Sequence, residues 1–126
     1  AHSLRPVEGA RMNIRLFRWL SGRQLTGYQT MLLFESRLLR ADAYLIRYPV
    51  GSVIPEHIDP VKERDHFRIN VILKQAIKGG EFKCSKCLYE SRRIKFFRPD
   101  QERHSVSQIE EGERLVLSIG WTKKRK

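Results

Sequence analysis

The chain is expected to fold as an all-β jelly roll, and three features of its 126 residues predict this. Short apolar runs recur along it, several alternating apolar and polar side chains as a half-buried strand does. Turn signals separate the runs at regular spacing: Ser21-Gly22, Pro49-Val50-Gly51, Asp59-Pro60, Gly79-Gly80, Pro99-Asp100 and Glu110-Glu111-Gly112. Helical periodicity is nearly absent, and roughly eight or nine short strands with such turns fit two packed antiparallel sheets.

Residues 12–20 set Met12, Ile14 and Leu16 against Asn13 and Arg15 and stop at Ser21-Gly22, which predicts a strand, with a short helix as the competing assignment. Residues 28–34 are apolar and rich in strand formers, and the charged stretch 35–42 is expected to turn the chain back. Residues 43–48 alternate Tyr44, Ile46 and Tyr48 with Leu45 and Arg47 until Pro49, which has no amide to donate, interrupts the ladder. The strand resumes into His57 and is expected to end at Asp59-Pro60. Residues 66–75 form the next strand, with Phe67, Ile69, Val71 and Leu73 on one face and Arg68, Asn70, Ile72 and Lys74 on the other. Residues 81–83 are short and extended, 84–93 read as a polar hairpin loop, and 94–97 as a strand closed by Pro99-Asp100. The last two strands, 105–109 and 114–121, are expected to pair as a hairpin about Glu110-Glu111-Gly112.

A single domain over residues 1–126 is expected, with its core at about 43–122 and a basic tail at 123–126. The formal charge is +11, from 25 Lys and Arg against 14 Asp and Glu, which predicts attraction to polyanions or acidic surfaces at low salt without naming the partner. Beyond the tail the surplus is scattered over Arg5, Arg11, Arg15, Arg18, Arg23, Arg37, Arg40, Arg47, Arg92 and Arg93, several alternating with apolar residues as on an outer sheet face. No apolar run approaches the ~20 residues of a membrane span and none reads as a signal peptide, so a cytoplasmic protein without membrane contact is expected. Two cysteines, Cys84 and Cys87, are too few for a disulfide scaffold and suit a reducing compartment.

The chemistry-bearing residues are His57, Asp59, His104 and Arg114. Side chains two apart on a strand share a face, so His57 and Asp59 can serve one metal ion. His104 adds a third ligand from a distant segment, giving a two-histidine, one-carboxylate set that leaves coordination positions open. Open positions imply chemistry rather than a structural metal. In the expected hairpin His104 pairs opposite Ser118 and Arg114 opposite Gln108, so the two share a face but lie roughly 13 Å apart along the ladder. A small dicarboxylate would span that gap, one end beside the metal and the other on the guanidinium fork.

His57-Ile58-Asp59, His104 and Arg114 in this order resemble the HxD…H…R pattern of the iron(II)- and 2-oxoglutarate-dependent dioxygenases. The likeness covers 43–121, and the phrases Arg47-Tyr48-Pro49-Val50-Gly51, Gly79-Gly80-Glu81-Phe82 and Phe97-Arg98-Pro99-Asp100 are similar to the prolyl hydroxylase-like branch. The resemblance implies a double-stranded β-helix fold, iron(II) held by His57, Asp59 and His104, and 2-oxoglutarate bound through its far carboxylate by Arg114. It implies that 2-oxoglutarate and O2 are consumed to give succinate and carbon dioxide while a substrate C–H bond is hydroxylated, with ascorbate as a supporting reductant. Tyr48, nine residues before His57, holds the place where related enzymes often set a tyrosine hydroxyl on the cosubstrate; a half-buried strand aromatic is the alternative. The chain departs from that branch at Ile54, where prolyl hydroxylases often have an aromatic residue, and in the 43 residues before Tyr44, which lack the strongly helical pattern of the supporting N-terminal helices in larger relatives.

Asn70, on the polar face of its strand, is the next candidate for the pocket, against a hydrogen-bonded core residue. Trp121 either caps the substrate mouth or packs on the sheet. Cys84-Ser85-Lys86-Cys87 lacks the two further ligands of a zinc knuckle and reads as a loop open to reversible oxidation. His66 is expected to face solvent at a strand start, and Glu81 to be edge polarity or a partner of the metal ligands. Two substrate classes remain open: a peptidyl side chain, prolyl-type, favoured by the local phrases, and a nucleic acid, favoured by the charge. A non-catalytic polyanion-binding jelly roll is the third reading. A homodimer is an open expectation for so short a frame.

Overall fold

The computed structural model describes residues 16–21 and 26–125. Residues 12–15 of the first expected strand, Gly22 of its turn, Arg5, Arg11, Arg23 and Lys126 of the tail lie outside them. The described residues form twelve strands: β1 (Trp19–Ser21), β2 (Gln29–Ser36), β3 (Ala41–Tyr48), β4 (Ile54–His57), β5 (Arg64–Lys74), β6 (Lys78–Gly79), β7 (Phe82–Cys84), β8 (Tyr89–Glu90), β9 (Ile94–Phe97), β10 (His104–Val106), β11 (Ile109–Glu111) and β12 (Arg114–Lys124). The large sheet runs β1-β2-β3-β12-β5-β9-β8, a second sheet β4-β10-β7, and a third pairs β11 with β6; every ladder is antiparallel. This is the all-β jelly roll, or double-stranded β-helix. No helix is long and apolar enough to cross a membrane.

The expected turn over 35–42 is tighter than the charge pattern suggested. β2 continues to Ser36 and β3 starts at Ala41, with the Ser36 hydroxyl accepting from the Leu39 amide at 3.1 Å and Arg40 at φ 55°. After β3, Pro49 ends the ladder as expected. Gly51 takes φ 93°, open to glycine at little cost, and buried Ser52 donates from its hydroxyl to the Pro49 carbonyl at 2.5 Å. The stretch 84–93, expected to be a loop, contains β8, which pairs with β9 through Tyr89↔Phe96 and Glu90↔Lys95.

The expected final hairpin does not form. β10 pairs with β4 and β7, β11 with β6, and β12 with β3 and β5. His104 therefore lies opposite His57 rather than Ser118, and Arg114 opposite Tyr48 rather than Gln108. The physical reason is that β12 buries side chains on its interior face, Arg114, Val116 and Ser118, while its other face carries the apolar Leu115, Leu117 and Ile119. Such a strand is most stable in the centre of a sheet with a neighbour on each side.

Register sets the interior side chains in rows across the large sheet. Arg114 lies beside Tyr48, Val116 beside Ile46 and Ile72, Ser118 beside Tyr44 and Asn70, and Gly120 beside Asp42 and Arg68. Arg68 also pairs opposite Phe97 of β9. The mixed face of β5, with Arg68, Asn70 and Ile72, is thus the interior one. The face of Phe67, Ile69, Val71 and Leu73 points out, where Phe67, Phe96 and Trp121 stack at 5.8–6.3 Å between ring centroids. Trp121 packs on the sheet and does not cap the cavity. The buried core is Tyr48, Ile72, Val106, Ile109 and Val116, with Ile46, Ile54 and Phe82 packed against it.

Ile109, 1% exposed, closes this core from the small third sheet, whereas Leu38 in the β2–β3 turn is 91% exposed. In urea denaturation Ile109→Ala is expected to lower the unfolding free energy by about 2–5 kcal/mol. Leu38→Ala should stay within about 0.5 kcal/mol of wild type.

Candidate metal centre

β4 delivers His57 and then ends, so Asp59 lies beyond the strand rather than on it. Its backbone N–H donates to the Pro99 carbonyl at 2.8 Å, which fixes the segment against the β9–β10 connection. β10 delivers His104 directly opposite His57, with ring centroids 4.3 Å apart. Asp59 Oδ2 is 3.4 Å from Nε2 of each histidine, and the three potential ligand atoms lie within 4.8 Å of one another. Neighbouring ligands on one ion with bonds of ~2.1 Å sit ~3 Å apart, so this spacing suits a shared cation.

The ring orientations support the same point. His57 Nδ1 is 2.8 Å from the Pro55 carbonyl and His104 Nδ1 is 2.9 Å from the Glu102 carbonyl. A carbonyl oxygen only accepts, so both Nδ1 atoms carry the proton and a neutral ring turns its Nε2 lone pair toward Asp59. Two lone pairs and a carboxylate meeting at one point repel each other unless a cation or protons come between. The donor set fits a divalent metal with imidazole and carboxylate ligands. Phe97 packs on His104 at 5.1 Å and on Phe82 at 5.0 Å, giving the site an apolar wall.

The site opens into a cavity of about 390 Å³ between the large sheet and the β4-β10-β7 sheet, and Tyr48, Asn70, His66 and Arg68 line it. Asn70 is buried and its Oδ1 accepts from the Ser118 hydroxyl at 2.6 Å, so it is at once a cavity residue and a hydrogen-bonded one. Burial raises the Tyr48 phenol above its ordinary pKa, with Arg114 pulling partly back, so the hydroxyl stays protonated at neutral pH. His66 corrects its expectation: it is half-buried and lines the cavity, its buried Nδ1 has no partner, and burial lowers its pKa. Glu81 is exposed, its amide bonded to the Ser107 hydroxyl at 2.9 Å.

Arg114 is 2% exposed, and neither Nη1 nor Nη2 has a hydrogen-bond partner. Its guanidinium carbon lies 4.7 Å from the centroid of the Tyr48 ring. Tyr48 lines the cavity and Arg114 does not, which places the guanidinium behind that ring. A buried, unpartnered cation is costly, each unmade hydrogen bond of a charged group forfeiting about 1.5–3 kcal/mol.

Sequence reasoning overlooked Arg68, Ser118 and Phe97. The first two share strand parity with Asn70 and Arg114 respectively, a signal that was present but outweighed by the habit of assigning arginines to solvent.

No family model matches the chain, and no curated protein matches it. Solved structures do. A Pseudomonas putida prolyl-4-hydroxylase superposes with a TM-score of 0.64 at 16% identity, covering 86% of this chain and 78% of that one. The cupin domain of Schizosaccharomyces pombe Cnp3 gives 0.59 at 15%, covering 84% and 69%. A viral collagen prolyl hydroxylase from Paramecium bursaria Chlorella virus-1, solved as a 2OG complex, gives 0.57 at 16%, covering 79% and 81%. The shared property is the fold. Prolyl hydroxylases and a cupin domain are both among these neighbours, and the likeness extends to the architecture alone.

Cys84 and Cys87 are free thiols. Burial raises the Cys84 thiol and pushes Cys87 up to about 12. Alkylation by iodoacetamide at pH 7.5 is therefore expected to be slower than for a free cysteine of pKa ~8.5, and to accelerate as the pH is raised above 9.

Proposed function

We propose that the chain is an iron(II)- and 2-oxoglutarate-dependent dioxygenase that hydroxylates a C–H bond of its substrate. The carrying observation is that one fold interior brings together three convergent metal-competent side chains, His57, Asp59 and His104, and one buried guanidinium, Arg114, whose Nη atoms have no hydrogen-bond partner. A metal-only chemistry explains the first and leaves Arg114 unaccounted for. A metal-chelating dicarboxylate explains both.

In this reading His57 Nε2, His104 Nε2 and Asp59 hold the iron, with the Pro55 and Glu102 carbonyls fixing the two rings. Bound iron(II) supplies the redox chemistry by which O2 oxidatively decarboxylates 2-oxoglutarate to succinate and carbon dioxide and hydroxylates the substrate. Arg114 pairs with the far carboxylate, and the protonated Tyr48 hydroxyl donates to the same group once the ring turns aside. Ile54, Phe82 and Phe97 exclude water from the metal side. Asn70 and Ser118, held to each other, border the open side of the centre.

The internal arginines weigh against a nucleic-acid substrate. Arg98 pairs with Asp65 and Asp100 at 3.0 and 2.6 Å and Arg114 is buried, so neither presents a free charge to a polymer backbone, and Arg68 lies inside the cavity with its side chain 16% exposed. A peptidyl side chain or a small molecule entering the cavity remains the favoured class.

With iron(II), 2-oxoglutarate, O2 and ascorbate, substrate-independent succinate formation is expected by mass spectrometry. His57→Ala should abolish both manganese binding and succinate formation; retention of both sinks the proposal. Arg114→Ala should weaken 2-oxoglutarate binding by about 10- to 100-fold while the manganese affinity is kept.

A further inference from the structure

We infer that Arg68, which lines the cavity away from Tyr48 and the Arg114 guanidinium behind it, is a second carboxylate anchor, and that the substrate presents a carboxylate to it. The inference rests on the dioxygenase reading for which molecule is oxidised, though not for the existence of the anion site.

The placement follows from register. Arg114 and Gly120 are six residues apart on β12, ~20 Å at ~3.3 Å per residue, and Arg68 lies opposite Gly120. Val106 of β10 packs into the core cluster with Tyr48 and Val116 at the Arg114 end. His104, two residues earlier on β10, packs instead on Phe97, the cross-strand neighbour of Arg68. The metal centre therefore stands nearer to Arg68, and the two arginines approach it from opposite sides. His66 confirms the crowding at this end, since its imidazole lies within electrostatic reach of both Arg68 and Asp59.

Arg68 is built into position. Nη1 donates to Ser118 Oγ at 2.8 Å and Nη2 to Asp42 Oδ1 at 2.7 Å. A Cβ at Gly120 would collide with the guanidinium, so the absence of a side chain there leaves room for Arg68 in this position. These two bonds use two of five N–H donors, and the fork still has donors to offer a planar carboxylate. The side chain is only 16% exposed, inside the cavity, which admits a compact group and keeps out the phosphates of a surface-bound nucleic acid. His66, two residues along the same face, brings its unpartnered Nδ1 to the same region. The ligand is thus a small carboxylic acid or the acidic side chain of a peptide.

The test uses the full chain loaded with manganese and saturating 2-oxoglutarate, so that the Arg114 end is filled. L-Aspartate, L-glutamate and an acetylated, amidated Gly-Glu-Gly peptide are titrated by calorimetry against L-asparagine, L-glutamine and Gly-Gln-Gly. Carboxylates should bind at least 10-fold tighter than the amides, and the free acids against the peptide identify the source. Arg68→Met should erase that preference and weaken the carboxylate far more than 2-oxoglutarate. Gly120→Ala, which keeps the charge but displaces the guanidinium, should reduce the preference several-fold with the thermal unfolding midpoint monitored as a check on folding. Equal binding of acids and amides by wild type overturns the inference. So does an Arg68→Met protein that keeps the preference, or one in which 2-oxoglutarate is the ligand chiefly lost. If wild type fails to bind 2-oxoglutarate at all, the dioxygenase reading falls, and the Arg68-dependent preference, measured without it, still decides the anion site.

Discussion

The structure depends on the central position of β12. With β3 on one side and β5 on the other, its interior side chains set the sequence of environments along the interior face of the sheet: Arg114, then Val116, then Ser118, which borders the cavity, then Gly120. Each fixes a row. The cation is shut in behind Tyr48, Val116 joins the apolar band with Ile46 and Ile72, Ser118 ties Asn70 and Arg68 together, and the missing side chain at Gly120 seats the Arg68 guanidinium. A strand placed at an edge would leave half of these side chains without cross-strand partners. Central placement lets one eleven-residue segment organise both the packing and the polar features of the interior.

The second sheet contributes the opposing half of the site with very little regular structure. β4 and β10 supply four and three residues, yet their pairing places two histidine rings 4.3 Å apart, tilted at 52°. Asp59 is tied to the β9–β10 connection by a backbone hydrogen bond to Pro99. Such short segments can be accurate because carbonyls fix each ring through its Nδ1, leaving few rotational choices. On the proposed reading, a metal held by these three side chains would relieve their mutual repulsion as well as form bonds.

Most of the strand pattern was legible because alternation, Pro49 and the glycine-marked turns act locally. Ile94–Phe97 and the end of β3 at Tyr48 follow directly from such signals. The ligand set was legible too, since residue type and order survive any error in topology. What could not be read was partnership. The turn at Glu110-Glu111-Gly112 looks like a hairpin in one dimension, but β11 is bonded to β6, and Gly112 then sends β12 into the other sheet. Burial of arginine was missed for a related reason: a charged residue on an alternating strand reads as outward-facing, and only the tertiary rows show that the apolar face of β5 points out while Arg68 and Asn70 point in.

The rows also bear on why a dicarboxylate suits this interior. Between Arg114 and the metal centre lies the band of Ile46, Ile72, Val106 and Val116, with Val116 fully buried. A charged or hydroxylated segment laid across it would lose hydration without gaining partners. A ligand with polar groups at both ends and methylenes between them loses nothing there, and its far carboxylate meets a guanidinium in a dry environment where their attraction is weakly screened. Tyr48 completes the arrangement from the other side. Its ring lies over the Arg114 guanidinium at 4.7 Å, and burial keeps its hydroxyl protonated and able to donate. The apolar band therefore separates two anion-attracting ends, and a compact acid at Arg68 would not compete with the ligand of Arg114 for the same charge.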